Sequence, residues 1–233
     1  GNEDWFLVES SRGLYAVADG MGGHRAGEVA SHLAVDALVE GLAASESASF
    51  DWPYGRPENL TPDMHRLRHA VLHANAAVVA AGEADADLAG MGTTLTVLWL
   101  RPGSALIASV GDSRAYRLRG GRADQLTRDD TWLATVLGAE GAREAAARAH
   151  PMRHVLTSVI GSRETGTPEV REVALEPGDV ILLTTDGLHN VVDEPTMARI
   201  AADGAADVVA KRLVESAIAH RTTDNVTAVV VRL

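Results

Sequence analysis

Five short acidic motifs stand where apolar runs of the chain stop: Glu3-Asp4, Asp19-Gly20, Asp112 within Gly-Asp-Ser-Arg, Asp186-Gly187 and Asp224-Asn225. Taken singly, each is an ordinary turn former, because aspartate bonds its own backbone and glycine accepts positive φ. Taken together they imply more. Several apolar strands that each end in an aspartate gather their carboxylates at one rim, and anions so crowded repel one another unless cations sit between them. The donors are all oxygen and the chain has no cysteine, which suits magnesium or manganese rather than zinc.

Composition narrows the chemistry further. Of the 233 residues 46% are hydrophobic and 23% charged, enough for a sizeable core, and 32 acidic against 21 basic residues give a net charge of -11. That balance repels nucleic acid. The lack of cysteine removes disulfides, thiolate metal sites and every cysteine-nucleophile mechanism, including that of cysteine-dependent phosphatases. No stretch reaches the roughly 20 continuous apolar residues of a membrane span, and no basic-then-apolar leader opens the sequence. The expectation is a cytoplasmic chain without a membrane span.

The elements that must position the carboxylates follow from hydrophobic period. Trp5 to Val8 and Gly13 to Ala18 read as strands joined by a polar turn, the second delivering Asp19 to its end. From Glu28 onward Ala30, Leu33, Ala34, Ala37, Leu38 and Gly41 recur on one helical face. Residues 44 to 60 read as a loop. Thr61-Pro62 supplies an N-cap and a first helical residue for a stripe of Leu67, Val71, Ala74 and Val78. Within it, His65-Arg66-Leu67-Arg68-His69 reads as a solvated basic face. Strands are expected over Thr93 to Leu100, Ala105 to Val110, Ala115 to Arg119, Val180 to Thr184 and Asn225 to Arg232, with a helix over Ala205 to His220. Short turns between successive strands imply antiparallel pairing. The predicted architecture is α+β: two stacked antiparallel sheets flanked by helices, a four-layer αββα sandwich. It forms a single domain over 1–233, in which 129–154 reads as one or two surface helices or a flap, with Trp132, His150 and His154 either packing residues or part of that flap.

Asn2-Glu3-Asp4, Val17-Ala18-Asp19-Gly20-Met21-Gly22-Gly23, Gly92-Thr93-Thr94, Val110-Gly111-Asp112-Ser113-Arg114, Thr184-Thr185-Asp186-Gly187-Leu188 and Thr223-Asp224-Asn225-Val226-Thr227 resemble, in order and spacing, the metal-dependent protein serine/threonine phosphatases of type 2C. The resemblance spans the whole chain. Asp-Gly-Met-Gly-Gly is similar to the bacterial branch, and His24 with Ala26-Gly27-Glu28 to enzymes found beside bacterial kinases and type VI secretion genes. The resemblance implies two Mn2+ or Mg2+ ions and a third, weaker one. It makes Asp19 the carboxylate shared by both tight ions and the Gly20 carbonyl a further ligand. Asp186 and Asp224 would hold the first ion, Asp112 with Asp186 the third, and Glu3 and Asp4 join the metal-site residues as the family's acidic pair, with Glu3 in the shell of the second ion, mostly through water. The implied reaction is hydrolysis of phosphoserine and phosphothreonine by a metal-bridging hydroxide, without a covalent intermediate. The implied partners are phosphoproteins, together with a serine/threonine kinase and its substrates, and the enzyme is expected to be a monomer.

Two departures stand out. Animal-type enzymes carry histidine directly after Asp-Gly, where this chain has Met21; His24 reads as a surface residue, so a metal-held water is the expected acid for the leaving group. The arginine that usually grips substrate phosphate would precede Gly1, so either the start is truncated, the favoured reading, or an alternative residue does the work. Asp112 also has a purely structural explanation, a hairpin turn with Arg114 as a local salt-bridge partner. The main rival in another class, a regulatory pseudophosphatase acting as a binding module, would be expected to lose a ligand; Asp19, Asp186 and Asp224 are all present.

Overall fold

The computed structural model describes residues 1–141 and 150–233, without the side chains of His24, Ala139 and Glu140. Residues 142–149 of the expected flap and the side-chain reading of His24 therefore lie outside the described residues. In chain order the elements are β1 (Asp4–Glu9), β2 (Leu14–Met21), α1 (His24–Ala44), α2 (Pro62–Ala84), β3 (Gly92–Thr93), β4 (Leu95–Arg101), β5 (Ser104–Val110), β6 (Arg114–Arg119), β7 (Arg122–Gln125) and α3 (Trp132–Gly141, broken at Gly138). They continue as β8 (Glu169–Ala174), β9 (Val180–Thr184), α4 (Asp186–His189), α5 (Glu194–Ala201), α6 (Ala206–Ala219) and β10 (Ala228–Arg232).

Two antiparallel sheets stack face to face. The first runs β1-β2-β4-β5-β8 with β3 on the end of β2; the second runs β10-β9-β6-β7. Strand alternation decides which layer each side chain joins. On β2, Leu14, Ala16 and Ala18 face α1 and α2, while Tyr15 and Val17 face the second sheet. On β9, Ile181 and Leu183 meet that inter-sheet core, while Val180 and Leu182 pack against α5 and α6. The result is the expected order of helices, sheet, sheet, helices.

Local chemistry sets the helix ends. Thr61 accepts a hydrogen bond from the Met64 amide at 3.3 Å, with Pro62 in the first turn. Asp193 caps α5 in the same way through the Thr196 amide. The basic run on α2 is not a solvated face: His65 and His69 are buried beneath Phe50, Trp52 and Tyr54 of the preceding loop. Burial lowers the pKa of both, so they behave as aromatic core residues. Among the described residues no helix is long and apolar enough to cross a membrane.

Candidate active site

At one end of the sandwich the two sheets leave a cleft of about 600 Å³, lined by Glu3, Asp19, Asp112, Asp186 and Asp224 among others. Each carboxylate arrives from a different piece of backbone. Asp19 sits near the end of β2, which runs on to Met21 because β1 and β3 both pair there. Asp112 lies on the crossing from β5 in the first sheet to β6 in the second. Asp186 opens α4 directly after β9, and Asp224 precedes β10, so the neighbouring strands β9 and β10 carry these two together.

Close backbone approaches hold the parts. A Cβ on Gly187 would overlap the Asn225 carbonyl oxygen, and one on Gly27 would overlap Oε2 of Glu3. Only glycine lets the Asp186 and Asp224 loops touch, and glycine at 27 leaves the Glu3 carboxylate its place against the first turn of α1. The Glu3 amide also donates to Oδ1 of Asn225 at 2.8 Å, tying the start of β1 to the Asp224 loop. Behind Asp19, Thr94 donates its amide to the Asp19 carbonyl, and its hydroxyl accepts from the Asp19 amide at 3.0 Å.

Asp4 is the most enclosed of the set, 3% exposed, and sits behind the cleft lining rather than in it. It pairs with Asp19 across the β1–β2 ladder. Its Oδ2 accepts hydrogen bonds from the hydroxyls of Thr185 at 2.8 Å and Thr227 at 2.7 Å. Its Oδ1 and Oδ1 of Asp186 are buried without a hydrogen-bond partner among the described residues. Asn190 Nδ2 donates to the other Asp186 oxygen at 3.0 Å.

Asp112 does not pair with Arg114. That arginine makes a two-pronged ion pair with Asp129 and donates to the Tyr116 hydroxyl. The Asp112 turn is instead pinned by Asp130: the Gly111 amide donates to Oδ2 of Asp130 at 3.1 Å, and the Asp130 amide donates to the Gly111 carbonyl at 2.8 Å.

The electrostatics of these groups agree. Burial, and then the charge of Asp4 and the other carboxylates, pushes Asp19 well above the usual carboxylate range. Burial also raises Asp4 to about 6 against the opposing pull of its two threonine hydroxyls. Burial and the nearby Asp186 and Asp129 raise Asp112 to about 7. Asp186 is raised by burial and by Asp224. Such a set is unfavourable when ionised without counter-ions.

Divalent cations fit it on three observations: two orphaned buried carboxylate oxygens, mutually raised carboxylates, and a donor set of oxygen alone. Among the described residues no three ligand side chains form a ready-made cage. Magnesium and manganese suit that openness, since they accept few carboxylates and complete their shells with carbonyl oxygen and water.

The cleft also contains His154 of the expected flap and Thr223 of a quoted motif, together with residues that the sequence did not single out for it. Arg153, His154 and Leu156 form one wall, and Arg221, Thr222 and Thr223 the rim before Asp224. Nδ1 of His154, from the expected flap, lies 3.9 Å from Oδ2 of Asp186. The supports Thr185, Thr227 and Asn190 were missed as well, although the first two stand inside quoted motifs. Their hydroxyls only acquire a role once β9 and β10 are placed side by side.

Comparison with known proteins gives a consistent picture. The family model described as Protein phosphatase 2C matches residues 2–219. The chain is 36% identical over 230 residues to the serine/threonine protein phosphatase PstP of Mycobacterium tuberculosis, covering 98% of this chain and 41% of that protein, so it spans about two fifths of that relative. The crystal structure of the M. tuberculosis phosphatase superposes with a TM-score of 0.83 at 35% identity, covering 99% of this chain and 91% of that one. A structure of the PstP catalytic domain in complex with two manganese ions gives 0.80 at 33% identity, covering 99% and 90%.

Proposed function

Since the chain belongs to the protein phosphatase 2C family, we propose that it is a metal-dependent phosphatase that hydrolyses phosphoserine and phosphothreonine in proteins. The observation that carries this reading is the convergence of Glu3, Asp19, Asp112, Asp186 and Asp224 on one solvent-open cleft, with the buried Oδ1 of Asp186 left unsatisfied among the described residues.

Asp19, Asp186, Asp224, Glu3 and the Gly20 carbonyl are the residues that would hold two Mn2+ or Mg2+ ions, and Asp112 with Asp186 would hold a third. The manganese pair in the related PstP structure supports that stoichiometry. When bound, such ions acidify water toward neutral pH and neutralise phosphate oxygens.

The protein's own part is positional. Asp4 stands behind the ligands: its charge and its bonds to Thr185 and Thr227 fix the strand ends that carry Asp19, Asp186 and Asp224. Asn190 orients one Asp186 oxygen. Asp130 fixes the turn that carries Asp112, so that a third ion held there would orient a proton source for the leaving group.

Strands from both ends of the sequence contribute to the sheets, and the cleft is complete within one chain. Both facts support a single catalytic domain acting as a monomer. The physiological substrates would be proteins phosphorylated by a serine/threonine kinase. Asp19→Asn and Asp186→Asn are each expected to lower turnover of a phosphothreonine peptide by orders of magnitude in folded protein; full activity in either would place the site elsewhere.

A further inference from the structure

On the footing of the phosphatase reading, we infer that Arg221 is a substrate-anchoring residue, the side chain with which the cleft rim grips an anionic group of the substrate. Helix α6 ends at Ala219, and two hydrogen bonds close it: the Arg221 amide donates to the Ile218 carbonyl at 2.9 Å, and the Thr222 amide to that of Ala217 at 3.2 Å. In this closure the residue after the cap takes a left-handed conformation, and glycine is the residue that does so without steric cost. Arg221 occupies it at φ 59, and among the described residues it is the one non-glycine with positive φ. The helix end therefore gains nothing from the side chain, and a non-glycine residue held in this conformation points to a role outside the fold.

Its position supplies that role. Arg221 lines the acidic cleft three residues before Asp224. A phosphorylated protein approaching this site meets five carboxylates on a chain of net charge -11. Ions bound among those carboxylates would neutralise the floor of the cleft, and an anionic substrate would gain further attraction from a rim cation among the described residues. Three side chains there can provide one. Nε of Arg153 donates to the His154 ring, and His154 stands beside Asp186, so both already engage other groups of the site. The Arg221 side chain is exposed and makes no hydrogen bond or ion pair among the described residues. A guanidinium presents paired donors that match a phosphoryl group or a carboxylate equally well. The anion is thus the phosphoryl group itself or an acidic residue flanking it.

Arg221→Gly tests this without endangering the fold, because it installs the residue that the helix end favours; its Tm should match or exceed that of the wild type. The manganese-loaded wild type and variant are compared on p-nitrophenyl phosphate and on two phosphothreonine peptides, one flanked by alanine and one by glutamate. The dissociation constant for inorganic phosphate is read by calorimetry. The expected result is a KM raised roughly tenfold with kcat within about twofold, partly restored in Arg221→Lys. A rise on all three substrates with weaker phosphate binding identifies the phosphoryl group as the anion; a rise confined to the glutamate-flanked peptide identifies the flank. Unchanged KM on all three and unchanged phosphate binding, in an active enzyme, overturns the role of Arg221 alone. A wild type that releases phosphate from none of them overturns the phosphatase reading and this inference with it.

Discussion

Asp4 and Asp19 face each other as direct cross-strand partners on β1 and β2, two carboxylates on the same side of the sheet at the mouth of the inter-sheet core. Antiparallel partners of like charge destabilise a ladder, and here both are also largely withdrawn from water. Cations bound at the cleft would relieve this pair.

The first consequence concerns the metal-free protein. The folded-state pKa values of Asp4, about 6, and Asp112, about 7, lie above the 3.8 of an unfolded aspartate. Between these limits the folded chain binds more protons than the unfolded one, so stability is present at low pH and is lost as pH rises through 6 to 7. Asp4 alone accounts for on the order of 3 kcal/mol. In chelator, Tm should fall between pH 5 and pH 8; manganese should remove most of that fall, and Asp19→Asn should raise the metal-free Tm at pH 8. A Tm in chelator that rises over this range would show that the carboxylates are not in conflict.

The second concerns the threonines behind the site. Thr227→Val keeps the shape and deletes one of the two hydroxyls on Oδ2 of Asp4. The loss should cost about 1–2 kcal/mol, a drop in Tm of roughly 2–8 °C. In metal-free protein it should be larger at pH 8, where Asp4 is ionised and the bond is charge-assisted, than at pH 5. Thermal unfolding at the two pH values is the check, and an equal drop at both would mean that the bond does not depend on the Asp4 charge.

The third separates Asp112 as a participant in proton delivery, through an ion it would hold, from Asp112 as a turn residue. Asp112→Ala should depress turnover of a phosphoserine peptide strongly, because an alkoxide leaves only with a proton. p-Nitrophenyl phosphate, whose phenolate needs little help, should lose less. Equal losses on both substrates would remove the proton-delivery role, and no loss on either would leave only the turn that Asp130 pins.

Much of this site is legible in the sequence because its carboxylates stand at the ends of apolar runs. Asp19, Asp112, Asp186 and Asp224 each follow or precede a strand that alternation marks, and antiparallel pairing then brings them to one rim. The supports are less visible. Thr185 and Thr227 become partners of Asp4 only through the register of β9 on β10, where Thr184 lies opposite Ala228. Asp129 and Asp130 reach Arg114 and Gly111 from a segment that reads as polar surface. β8 escapes notice because, as an edge strand, it leaves Glu169, Glu172 and half-exposed Arg171 toward water and lacks an apolar run. His65 and His69 look like solvated basic residues until the Phe50 to Tyr54 loop closes over them; burial there is a tertiary fact that helical spacing does not encode.

The most direct test is phosphate release from a phosphothreonine peptide by the purified protein, titrated with manganese and with magnesium and then returned to excess chelator, with Asp186→Asn measured alongside. Turnover should appear on adding either ion, vanish with chelator and return on re-addition, while Asp186→Asn stays folded and loses activity by orders of magnitude. Undiminished turnover in excess chelator, or full activity in Asp186→Asn, would contradict a reaction carried by ions held among these carboxylates.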